Sequence, residues 1–280
     1  LFIKSLLLLA LSAYLAIGGV TADDIDVSSE FRGSAPTGMD SLPRLLGVPV
    51  GGSDAEATPP LSMAPAEVAL RSLAGQVARQ SHPLALRYAF EAYFNYRSAH
   101  PELVRRPYLY FVDFGLDGGT PRGYVFDMDR MVVVEGPFPV AHGRGSGREG
   151  GGVPTRFSNT RGSNATSLGL FLAQETYVFS GRTGGRSYRS VGLRLRGVSG
   201  RFNSAARDRG IVVHGAPYVT ASSAGRSEGC PAMAESLARK LIPRISDGGL
   251  VFHFSPHDPS WMRGEPWIGP NPVGVASAMN

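Results

Sequence analysis

Cys230 is the only cysteine in 280 residues, and it lies in the stretch IVVHGAPYVTASSAGRSEGCPAM that begins at Ile211. Sixteen positions before it, His214 and Gly215 close a short apolar run. A thiol and an imidazole close in space form a nucleophile and its base. The chemistry open to such a pair is attack of sulfur on a carbonyl, with the imidazole moving the proton. The bland alternatives are a small buried hydrophobe for the cysteine and a structural strand-end histidine. Gly229 allows close backbone approach. With Cys230 it offers adjacent N–H groups to a developing oxyanion, an arrangement that contributes about two to three orders of magnitude in rate. Pro231 holds Cys230 extended and suits the first turn of a following helix. On this reading Cys230 sits at or beside a helix N-cap, where unpaired N–H groups favour a thiolate.

These residues need a frame. From Tyr108 onward the sequence breaks into short β-rich runs, among them YLYFVDF, RGYVFDM, RMVVVEG, LGLFLA, TYVFSG and YRSVGLRLRG, punctuated by Gly, Asp and Pro. Ile211–His214 and Gly249–Phe254 add two more strands. FNSAARDRG (202–210) reads as a short helix feeding the His214 strand, and MAESLARKLIPRI (233–245) as a helix that Pro243 bends or ends. Upstream, AEVALRSLAGQVARQ and PLALRYAFEAYFNYRS place apolar residues at helical spacing, the second opening on Pro83. Strands joined by short turns, with few long helices, predict a mainly β (α+β), largely antiparallel domain.

The first 22 residues have one lysine, an apolar run from Leu6 to Val20, and small residues before Asp23. That layout predicts a secretory signal peptide, and a membrane enters only through this segment if it stays uncleaved. Residues 23–65 are rich in Gly, Ser, Pro and Ala and read as a flexible linker. An exported chain with one cysteine has no internal disulfide, which leaves a reactive thiol or an intermolecular partner. The net charge is +5, and only two of the 28 basic residues are lysines. Such a balance suits an anionic surface; arginine-biased coding gives the same figure. No basic stripe with interleaved aromatics is present, which argues against nucleic acid as a partner.

HGAPYV followed by GRSEGCPA resembles the signature of the murein L,D-transpeptidase catalytic domain family: His-Gly, a loop, then Ser-x-Gly-Cys. LYFVDF, VAHGRGSG (140–147), FSNTRGS (157–163), TSLGLF (166–171) and LRLRG fall in the expected order, so the resemblance runs from about Leu84 to Phe254. It implies an L,D-transpeptidase-like β-sandwich with short flanking helices. It further implies Cys230 as nucleophile, His214 as base and Gly229 in the oxyanion hole. Ser227 shapes the cysteine loop on the substrate side, Arg226 meets a substrate carboxylate or is a solvated loop charge, and His142 and Tyr218 line the groove. Ser158, Asn159 and Ser163 hold turns. The implied partner is peptidoglycan, through the muropeptide stem peptide, with no metal or organic cofactor, in the periplasm or cell envelope of a bacterium.

Two departures stand out. Pro231-Ala232 replaces the commoner aliphatic residue and arginine, and Glu228 stands where an aromatic residue is usual; a carboxylate turned inward there would oppose a thiolate. The implied layout is a signal peptide (1–22), linker (23–65), helical segment on the core (66–100), catalytic domain (101–258) and C-terminal tail (259–280). Competing readings are an L,D-carboxypeptidase, a non-catalytic peptidoglycan-binding module, and a zinc peptidase using some of His142, His214, His253 and His257. The last lacks an HExxH-type helix.

Overall fold

A computed structural model describes residues 63–147 and 152–269. The expected signal peptide, the expected linker up to residue 62, and residues 148–151 and 270–280 lie outside the described residues. Eight strands form one mixed sheet, and three of them set its middle. These are β1 (Tyr108–Asp113), β5 (Gly169–Thr183) and β10 (Leu250–Phe254). β10, the last strand among the described residues, lies between the other two, parallel to β1 and antiparallel to β5. Outward from β1 run β2 (Gly123–Asp127) and β3 (Val132–Phe138). Outward from β5 run β6 (Arg186–Gly197), β7 (Val212–Gly215) and β9 (Ala232–Met233). A separate two-stranded parallel ribbon joins β4 (His142–Gly143) to β8 (Arg226–Ser227).

Side-chain alternation explains the unbroken apolar runs at the centre. Leu109 and Phe111 of β1 join one core cluster, while Tyr110 and Val112 join another. β10 does the same, with Leu250, Phe252 and Phe254 on the first side and Val251 on the second. The first face is covered by α1 (Pro65–Leu73), α2 (Ala85–Ala99) and α4 (Pro259–Gly264), through Leu73, Phe90, Tyr93 and Trp261. The second face is covered by α3 (Glu235–Ile245), through Ala238, Leu241, Ile242 and Ile245. Each large apolar side chain buried in this way contributes about 1.5–3 kcal/mol. The link between α1 and α2 is pinned to the sheet end. Ala78 N–H donates to Tyr124 Oη at 3.0 Å, and the Asp113 carboxylate accepts from Ser81 N–H (2.7 Å) and Ser81 Oγ–H (2.6 Å).

Four expectations change. LGLFLA and TYVFSG are one strand, β5, interrupted by a bulge between Ala173 and Thr176 where the polar Gln174-Glu175 pair falls. FNSAARDRG is a 3₁₀ turn (Gly200–Phe202) followed by further turns rather than a helix. Buried Asn203 dictates this path: its side chain accepts from Ser199 N–H (2.8 Å) and donates to Leu170 O (2.8 Å). The helix expected from Met233 begins instead at Glu235, because Met233 belongs to β9, and it ends at Ile245 with Pro243 inside it. Residues 259–269, expected to begin a tail, belong to the core. Trp261 is fully buried, and Trp267 donates its indole N–H to Val198 O at 2.7 Å. Asp258 caps α4 by accepting from Ser260 N–H (3.0 Å) and Trp261 N–H (3.1 Å), with Pro259 at the first position.

Candidate active site

Strand β7 ends at His214 and Gly215, and β9 lies beside it in parallel, with His214 opposite Ala232 and Gly215 opposite Met233. Cys230 and Pro231 lead into that pairing, and Pro231 O accepts from His214 N–H at 3.4 Å. The expected N-cap position for Cys230 is therefore corrected. α3 is capped by Ala234, four residues later, because Ala232 and Met233 are drawn into the sheet first. Proline fits strand entry as well as helix entry, since its fixed φ serves both. The thiol gains no help from a helix terminus.

The loop before the sulfur is closed by Ser227. Its Oγ–H donates to Cys230 O at 2.5 Å, and its Oγ accepts from Gly229 N–H at 3.2 Å. The Gly229 N–H is thus occupied, which corrects its expected place in the oxyanion hole. Gly229 contributes its backbone path instead. It has φ +120°, and a Cβ there would lie 3.0 Å from Ala165 O and 3.1 Å from Ile211 Cδ1. The Cys230 N–H makes no hydrogen bond among the described residues.

The sulfur is buried, with Cys230 8% exposed. The thiol donates to Gly210 O at 3.7 Å, and Val212 N–H points at the sulfur. Loss of water pushes the thiol pKa up to about 11, against the pull of the Val212 N–H and the Arg209 charge. His214 is also buried, and its ring stacks on Phe179 with centroids 4.0 Å apart and planes 13° from parallel. His214 Nδ1 lies 3.1 Å from Gly215 O. A carbonyl only accepts, so Nδ1 carries the proton and Nε2 keeps its lone pair. Burial lowers the imidazole pKa to about 4, so the ring is neutral at pH 7 and its base is free. No hydrogen bond joins the sulfur to the imidazole among the described residues. The thiol, in the loop leading into β9, and the imidazole on β7 are both neutral at rest, not the expected thiolate.

Tyr218 belongs to this neighbourhood, together with Tyr177 and Tyr188: charge on the sulfur would raise the pKa of all three hydroxyls. Glu228 turns outward. Its side chain is 70% exposed and is held by Arg144 at 3.0 Å, so its charge is the weakest of the influences that raise the thiol pKa. Arg209 escaped the sequence reading. Half-buried beside the thiol, it donates to Ser158 O (2.6 Å), Ala165 O (2.7 Å) and Ser163 Oγ (3.1 Å), and also to Ser167 Oγ. It braces segment 158–167 against the nucleophile loop and supplies a cation near the sulfur.

His142 and Arg226 lie apart from the sulfur. They pair across the β4/β8 ribbon, while the next residues, Gly143 and Ser227, face the Cys230 loop. A Cβ on Gly143 would come within 2.7 Å of Gly229 Cα. By alternation, His142 and Arg226 face the other side, where they line a cavity of about 390 Å³. Among the described residues no three His, Cys, Asp or Glu side chains cluster to hold a metal. His253, one of the four histidines considered for zinc, is fully buried with Nδ1 on Ser167 O at 2.9 Å.

Residues 78–254, well over half of the chain, match the L,D-transpeptidase catalytic domain family. The chain belongs to this family. No curated protein matches the sequence. Among solved structures, the L,D-transpeptidase from Mycobacterium smegmatis is 18% identical with a TM-score of 0.32, over 53% of this chain and 59% of that one. The Stackebrandtia nassauensis L,D-transpeptidase is 13% identical with a TM-score of 0.34, over 69% of this chain and 92% of that one. The assignment rests on the family match. That stretch contains Cys230, His214, Gly229 and the cavity, whereas α1 and α4 fall outside it and complete the core beneath it.

Proposed function

We propose that the domain is an exported, cysteine-dependent murein L,D-transpeptidase that works through a Cys230 thioester on peptidoglycan stem peptides. The observation that carries the reading is the His214 tautomer. With Nδ1–H tied to Gly215 O, Nε2 keeps a free lone pair, and His214 pairs with Ala232, two residues after the only thiol of the chain. Cys230 sulfur attacks the carbonyl of the third stem residue while its proton passes to His214 Nε2. The Cys230 N–H stabilises the oxyanion. The C–N bond then breaks, and the proton goes to the leaving amine of D-alanine. An amine of a second stem attacks the thioester, gives its proton to His214, and leaves a cross-link and the free thiol; water in that role gives an L,D-carboxypeptidase.

Starting from neutral groups sets the main barrier. Separating a thiol of pKa about 11 from an imidazole of about 4 costs on the order of 10 kcal/mol before their mutual attraction. The proton therefore moves as the S–C bond forms, when the charge has the oxyanion donor to meet it. Intact-mass analysis with a muropeptide or a carbapenem tests the reading. An adduct on wild type, lost in Cys230→Ala and slowed in His214→Ala, is expected. A folded wild type that takes no adduct from either reagent leaves a non-catalytic wall-binding module. The released products then separate cross-linking from hydrolysis.

A further inference from the structure

Residues 209–211 pack against the Cys230 loop. Gly210 O accepts from the thiol at 3.7 Å, and Ile211 Cδ1 lies 3.1 Å from where a Cβ on Gly229 would stand. Arg209 precedes both. Its guanidinium donates to Ala165 O at 2.7 Å, and the same carbonyl oxygen lies 3.0 Å from the Gly229 Cβ position. The arginine is thus fixed to the Cys230 loop twice, through its backbone neighbour Gly210 and through Ala165.

Its charge has no counter-ion there. The acceptors are Ser158 O, Ala165 O, Ser163 Oγ and Ser167 Oγ, all uncharged, and no carboxylate joins them among the described residues. Neutral oxygens fix the fork without neutralising it, and a half-buried charge left in that state is costly. Burial lowers the Arg209 pKa, while charge on Cys230 acts the other way. Ionisation of the sulfur would therefore supply the counter-charge that the guanidinium lacks. Other groups around the thiol do not take this part. His214 is neutral, Tyr177, Tyr188 and Tyr218 have raised pKa values, and Glu228 has the wrong sign. Ala232, which stands where the commoner signature has arginine, is fully buried in β9. We propose that Arg209 is a positioning residue that holds a fixed positive charge for the sulfur and stabilises the negative charge that grows there as the thiol proton passes to His214. This deepens the proposed function, and rests on it in taking acylation as the step served.

The test is iodoacetamide alkylation of the full chain between about pH 8 and 9.5, which reads the ionised fraction of its single thiol. Arg209→Gln removes the charge and much of the fork; Arg209→Lys keeps the charge and loses the fork. The Gln variant is expected to react about tenfold or more slowly, one pKa step, and the Lys variant to recover most of that loss. A second pair leaves Arg209 in place. Ser163→Asp sets a carboxylate against the guanidinium, and Ser163→Asn offers a similar shape without charge. The Asp variant is expected to react about threefold or more slowly than the Asn variant. If Arg209 only braces segment 158–167, Lys fails together with Gln, and Asp matches or outpaces Asn; either result overturns the proposal. Should the Arg209 variants not fold, the Ser163 pair decides alone. The carbapenem adduct on wild type is measured in parallel. An adduct without charge-dependent alkylation sinks the arginine assignment alone; charge-dependent alkylation without an adduct sinks the thioester reading alone.

Discussion

The neutral resting state of Cys230 has a direct kinetic signature. Alkylation by iodoacetamide proceeds through the thiolate, so its rate against pH traces the fraction ionised. A pKa of about 11 leaves about one thiol in ten thousand ionised at pH 7. An unperturbed thiol of pKa 9.0 has about one in a hundred, so Cys230 should react about a hundredfold more slowly at that pH. The rate should rise about tenfold per pH step through 8, 9 and 10 and level only above that. His214→Ala should leave the curve almost unchanged, because the neutral imidazole of the resting state holds no charge against the sulfur. The same variant should still cripple acylation by substrate, where the proton must move. Trapping the alkylated protein at each pH and counting the modified fraction by mass gives the profile. A midpoint below pH 8 that moves upward in His214→Ala would refute the reasoning, since it demands a preformed thiolate–imidazolium pair.

Three further outcomes are expected. His142, His214 and His253 all have pKa values lowered to about 4 by burial, so the unfolded chain binds more protons between about pH 6.5 and 4. Stability should be full above pH 6.5 and fall as pH drops through that window, by up to about 3 kcal/mol per histidine, as read by urea midpoints. Trp261→Ala should cost about 3–5 kcal/mol in the same assay; a loss under 1 kcal/mol would mean that residues 259–269 do not belong to the core. Gly229→Ala must hold an alanine at φ +120° against Ala165 O, a strain of about 1–3 kcal/mol. Its acylation rate should fall more than its thermal stability, and an unchanged rate would remove Gly229 from the site.

The grouping of the candidate site was more legible than its surroundings. Cys230, His214 and the Ser-Glu-Gly-Cys loop announce themselves by residue type and order, and the structure gathers Cys230, Gly229, Ser227, His214 and Tyr218 in one neighbourhood. Pro231 misled because its fixed φ serves helix entry and strand entry alike, and the pairing of Ala232 with His214 is a tertiary fact. β5 read as two strands because a bulge carrying Gln174 and Glu175 interrupts the alternation. Arg209 and Arg122 were invisible for a different reason. Among 28 basic residues nothing local marks an arginine that will be buried, since its partners are carbonyls far along the chain. The Asp258-Pro259 cap before Trp261 was a readable helix start that composition alone passed over.

The central place of β10 governs how the chain can assemble. Until residues 250–254 arrive, β1 and β5 each present an unpaired row of backbone groups in what will become the middle of the sheet. Such rows invite pairing with other chains. A polypeptide cut short before Leu250 should therefore aggregate rather than fold partway. The sheet cannot close before residues 250–254 have been made, and closure across so many intervening residues is slow. A chain that stays open that long can be threaded through a narrow pore before it acquires its shape.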